Sequence, residues 1–212
     1  MIVSENLYIE KGVKSLLKIY EFGMLSRERI IKLIRRSQTY ISITLFMIVF
    51  FICWKFTNLD IREIQLSNWG KSGWIAMVWN SAVCLFAISI FVNSFLYLKN
   101  NLRIKYKKNF YFLFGFLSMC LFSVGVFNID YMTIHNVSAG LYFFLYPLTI
   151  FIFAYLNRKY MQYSDWLQNV VISTFMAIFP IILMSMFRGM AIAEIAHTFL
   201  VILYNIKIAR HE

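Results

Sequence analysis

Hydrophobic positions in this chain come in long unbroken runs separated by short polar stretches. Six runs stand out, at about residues 40–56, 74–98, 110–127, 138–156, 167–187 and 191–206. Within each, apolar side chains fall on every face of a helix instead of one stripe, the pattern of a helix surrounded by apolar neighbours or lipid. About 20 helical residues cross a hydrocarbon core roughly 30 Å thick, and each run is near that length. The expected fold is all-α: a polytopic membrane protein with a six-transmembrane-helix bundle arranged as three hairpins.

Residues 1–39 break the pattern. Val13, Leu16, Leu17 and Tyr20 share one helical face; after Gly23, Ser26 can cap a further turn that aligns Ile30, Leu33 and Ile34. Lysines and arginines fill the rest. This predicts a basic amphipathic arm on the membrane surface over 1–39, the membrane domain over 40–206, and a short tail over 207–212. The arm lacks the apolar core and small-residue end of a cleaved signal peptide. Trp69 and Trp74, in and after the first polar loop, are expected at the membrane interface.

Composition supports the membrane reading. The chain is 60% hydrophobic, 19% aromatic and 15% charged, whereas soluble domains have about 45–50% apolar and about 25% charged residues. The net charge of +11 raises nucleic acid as a partner class, but the distribution argues against it. Seventeen of the 21 basic residues lie in the arm, in the loops after the second and fourth runs, and in the tail. Only Lys55, Arg62, Lys71 and Arg188 lie on the other side. Basic loops stay cytoplasmic, so both termini are expected in the cytoplasm of a prokaryotic cell, with the protein in its plasma membrane. Membrane lipids are then the expected partners. A homo-oligomer or a membrane-protein partner is left open.

With that orientation, the ionisable residues of the non-cytoplasmic side gather in one shallow layer. Asp130 and His135 flank the start of the fourth run. Glu194 and His197 begin the sixth, and Arg188 lies in the tight turn before it. Asn80 begins the second. Polar groups at membrane depth are costly and serve as partners or sites. Glu194 and His197 stand three residues apart, so they share a helical face. A carboxylate and an imidazole so placed can tie helices together, orient a general base, or, with His135 or Asp130, ligate a metal. Asn80 and Arg188 are candidate ligand contacts. No cofactor is expected, since nucleotide, phosphate-loop and hydrolase motifs are missing. Cys53, Cys84 and Cys120 fall inside apolar runs and predict neither a disulfide nor a cysteine zinc site. Pro147 and Pro180 fall inside runs and are expected to kink their helices.

Several short elements carry a resemblance: Ser67-Asn-Trp-Gly70, Trp79-Asn80, Gly125-Val-Phe127, Glu194, and above all IHNVSAGLYFFLYPLTIFIFA, where His135 precedes Ala139, Phe143, Phe144 and Pro147. Over about residues 40–206 the chain resembles domain-of-unknown-function family 998, small prokaryotic six-helix membrane proteins, and more distantly the FRAG/DRAM/Sfk-type proteins. Asn128 stands where a proline often follows the Gly-x-Phe element. The resemblance implies six membrane helices and no established reaction; the distant relatives suggest lipid remodelling or organisation. The expected function is therefore binding or organising lipid, or supporting a membrane partner. The alternatives are an enzyme acting on lipid at the outer leaflet through His135, Glu194 and His197, and a small transporter.

Overall fold

A computed structural model describes the backbone of residues 2–57, 60–71, 73–101 and 103–210, with side chains from residue 29 onwards. The described residues are helical with short connections and contain no strand. In chain order the helices are α1 (Ile2–Thr57), α2 (Gly73–Asn100), α3 (Lys107–Val126), α4 (Met132–Asn157), α5 (Tyr163–Met186) and α6 (Ala191–Arg210). Each provides a stretch long and apolar enough to cross a membrane, that of α1 being Arg29–Thr57.

The helix that carries the first run extends upstream of residue 40 without a break. The α1 backbone continues as helix through Gly23 and Ser26; one glycine in a helix costs only about 1 kcal/mol. The amphipathic face of Val13, Leu16, Leu17 and Tyr20 lies outside the residues whose side chains are described. Helices α4 and α5 run through Pro147 and Pro180 without interruption.

Each helix packs on its neighbours in sequence, and α1 also packs on α6, so the six form a closed ring. Contacts between α2 and α6 cross its middle. The side chains that fill the interior are large, with Trp69, Tyr146, Tyr204, Phe110 and Phe153 fully buried. Outward positions are equally apolar: Phe112 is 73% exposed and Phe144 72%. A soluble protein does not tolerate such a surface; in hydrocarbon it is the low-energy one.

Close approach within the ring depends on small residues. A Cβ on Gly125 would stand 2.6 Å from the Cys84 Sγ and 2.9 Å from the Asn80 carbonyl oxygen, so α3 meets α2 here only as glycine. Polar groups inside the ring bond across helices. The Asn93 amide donates to the Asn205 carbonyl at 2.9 Å and to its side-chain oxygen at 3.1 Å, and Asn205 donates to the Tyr146 hydroxyl at 3.2 Å. Asn205 therefore joins α2, α4 and α6. At the end bearing the C-terminus, Arg35 and Arg36 donate to the carbonyl of Ala209. These cations meet the last carbonyls of α6, where the helix dipole favours positive charge. Cys53, Cys84 and Cys120 are free thiols.

Candidate functional site

At the end of the ring away from the C-terminus, the first long loop folds inward. Its shape begins with Asp60, whose carboxylate accepts hydrogen bonds from the Arg62 guanidinium (2.7 Å) and the Arg62 backbone N–H (2.9 Å). The Arg62 hydrogen bonds, side chain first, hold the Asp60 carboxyl down to about 2. The next residues lie against the turn between α5 and α6. Gly189 N–H donates to the Arg62 carbonyl at 2.8 Å, and Ala191 N–H to the Ile64 carbonyl at 2.9 Å. Gly189 has to be glycine, because a Cβ would overlap the backbone of Glu63 and Ile64. The Leu66 N–H then donates to Glu194 Oε2 at 2.7 Å, fastening the loop to α6.

Beyond Leu66 the loop makes a short 3₁₀ helix, Leu66–Gly70. It carries Trp69 into the ring, where the indole meets Phe50 at 5.4 Å and Trp79 at 5.0 Å between ring centroids. Trp69 is buried, whereas Trp74 is exposed; of the two tryptophans expected at the interface, only Trp74 has the exposure for it. The loop thereby roofs a chamber of about 70 Å³, walled by α1, α2, α3, α4 and α6. By volume it holds about five water-sized groups.

Three of the residues singled out in the sequence line this chamber together: His135, Glu194 and Asn80. His135 is buried, and its Nδ1 lies 2.8 Å from the Phe127 carbonyl oxygen. A carbonyl only accepts, so Nδ1 carries the proton and Nε2 of the neutral ring is an acceptor. Asn80 donates to the Gly70 carbonyl at 3.3 Å, pinning the end of the loop. Glu194 lines the same space, and its other carboxylate oxygen has no hydrogen bond among the described residues.

The other three lie elsewhere. His197 is buried one layer behind the chamber, its ring 4.4 Å from Phe143 and 5.7 Å from Tyr142. Neither of its nitrogens has a hydrogen-bond partner among the described residues, and the Phe143 backbone lies near the ring. Pro147, four residues on, has no N–H to give the Phe143 carbonyl, so the imidazole meets an oxygen the helix leaves unpaired. Asp130 is exposed and accepts from Asn128 at 2.9 Å. Arg188 is exposed in the α5–α6 turn. Among the described residues, no three His, Cys, Asp or Glu side chains gather closely enough to hold a metal.

The chamber also contains polar residues that are not among the site candidates read from the sequence: Tyr142, Thr198, Asn128 and Ser67. Helical spacing could have found two. Tyr142 stands seven residues after His135, and Thr198 four after Glu194, on the same faces. The other two come from turns whose placement depends on long-range docking. Comparison with protein-family models, with curated proteins and with solved structures finds no match.

Proposed function

We propose that the protein is a multi-pass membrane protein that binds lipid in this chamber and thereby organises lipid or a lipid-dependent partner. Both termini lie in the cytoplasm, the helices thread the membrane as three hairpins, and the roofed chamber belongs to the outer leaflet. On the same residues as before, we group the chain with the proteins of domain-of-unknown-function family 998. The observation that carries the reading is that His135, Glu194 and Asn80 line one space whose other walls include Phe46, Trp79, Phe86 and Phe143. A few convergent polar groups in an apolar, aromatic chamber suit an amphipathic ligand.

The test is to fill the chamber. Ala139 lines it, and Ala139→Phe occupies its space from the α4 side. The full-length protein, purified in mild detergent, is expected to retain bound lipid, detected by mass spectrometry of the extract. Ala139→Phe is expected to retain its helical signal and lose that lipid. Equal lipid in both proteins contradicts the reading.

One observation favours a second reading, in which the chamber is a reaction site. With Nδ1 committed to the Phe127 carbonyl, Nε2 of a neutral His135 ring has the lone pair of a general base. That reading requires turnover of a bilayer lipid by the purified protein, abolished in His135→Gln. No turnover in proteoliposomes rejects it.

A further inference from the structure

The polar groups of the chamber differ in what they can offer a ligand. Four of those that can donate are committed to the protein, while the Thr198 hydroxyl and the Trp79 indole N–H make no hydrogen bond among the described residues. Asn80 gives its amide N–H to Gly70, and Asn128 gives its own to the Lys71 carbonyl and to Asp130. Ser67 donates to the Gln65 side chain, and the protonated nitrogen of His135 to Phe127. What is left is mostly acceptors. Glu194 has a second carboxylate oxygen beyond the one that accepts from Leu66. His135 has Nε2. The Asn128 Oδ1 is buried, with no partner among the described residues, and so is the Tyr142 hydroxyl, which like that of Thr198 can act either way.

Glu194 is also the only lining residue with a carboxylate, and the lining includes no lysine or arginine. An ionised carboxylate in an apolar chamber needs a counter-charge. The walls around it include the rings of Trp79, Tyr142, Phe143, Phe46 and Phe86, and an aromatic face attracts a cation.

We infer that the chamber takes a primary ammonium group, from an aminoethyl lipid headgroup or from a free small amine. The ammonium has three N–H donors and one positive charge, which answer the acceptors and the carboxylate together. A volume of about 70 Å³, or about five water-sized groups, accommodates an aminoethyl unit. A trimethylated ammonium is larger and has no N–H to donate. This inference rests on the lipid-binding reading and names the headgroup that reading leaves open.

The experiment measures binding to the full-length detergent-purified protein by native mass spectrometry. The probes are dihexanoyl phosphatidylethanolamine, phosphatidylcholine and phosphatidylglycerol, and ethylamine alone. Phosphatidylethanolamine is expected to bind about tenfold or more tightly than the other two lipids, the scale of one hydrogen bond to a charged group. Glu194→Gln, which keeps the acceptor for Leu66, and Tyr142→Phe are each expected to erase that preference. Ethylamine that displaces phosphatidylethanolamine and binds as tightly by itself supports the ammonium and assigns its source to a soluble amine. Equal binding of the three lipids to the wild-type protein overturns the inference and leaves the lipid chamber standing. A preference kept in both variants also overturns it. Failure of every lipid to bind overturns the proposed function, and failure of ethylamine as well overturns the inference with it. The wild-type comparison decides even if a variant does not fold.

Discussion

Glu194 has a double attachment that can be taken apart residue by residue. One carboxylate oxygen accepts the Leu66 N–H at 2.7 Å; the residue also lines the chamber. Glu194→Gln keeps an acceptor for Leu66, so the loop is expected to stay docked. Glu194→Ala leaves a backbone N–H unpaired and is expected to cost about 1–3 kcal/mol, read as a lower midpoint of thermal unfolding in detergent. Equal midpoints for Glu194→Ala and wild type would show that Leu66 finds another acceptor. His197 shows how far residue spacing can be read. Its three-residue offset from Glu194 correctly implies a shared helix face, but a shared face reaches two layers, the chamber and the Tyr142–Phe143 wall behind it. The histidine's polar neighbour is set by Pro147, whose missing N–H frees the Phe143 carbonyl. A double-mutant cycle follows. His197→Phe is expected to destabilise the wild-type protein by about 1 kcal/mol and to cost less in a Pro147→Ala background, where the helix supplies its own donor. Strict additivity would remove this role from His197.

Among the elements, the helices are more legible in the sequence than the loops. Long uncharged runs mark α2 to α6, with ends up to six residues away at the start of α4, because bilayer thickness and backbone hydrogen bonding act locally. The upstream extension of α1 is less legible: Ile30, Leu33 and Ile34 are exposed and alternate with charge, so they read as surface arm and helix alike. The loop over 60–71 is not legible at all. Its position depends on Leu66 meeting Glu194, 128 residues away, and on Gly189 passing against Ile64. No local pattern encodes either contact. Gly189→Ala tests this docking directly. The added Cβ meets backbone, which cannot rotate away, so the loop is expected to lift. The measurement is limited proteolysis of 60–71, with faster cleavage expected in Gly189→Ala. Unchanged cleavage would mean that the loop accommodates the methyl group without moving.

At the scale of the molecule, the closed ring explains why scattered polar residues converge. Helices that follow one another around a ring aim their polar positions at a common axis. Asn80, His135 and Glu194 share one end of it, and Asn93, Tyr146 and Asn205 meet further along. Replacing Asn205 with leucine removes the junction of α2, α4 and α6. The expected loss is about 1–2 kcal/mol, since interhelical polar contacts in membranes are individually modest. The basic residues locate this axis in the membrane: if their side is cytoplasmic, cysteines introduced at Ser67 are labelled from outside intact cells and those at Tyr106 are not. The central claim is that lipid occupies the roofed chamber, and site-directed photocrosslinking in native membranes tests it most directly. A photoreactive phenylalanine analogue at Phe143, which lines the chamber, is expected to capture lipid enriched in aminoethyl headgroups over the bulk membrane. The same analogue at the outward-facing Phe112 should capture lipid in bulk proportion. Capture of lipid at Phe112 and none at Phe143 would contradict the account.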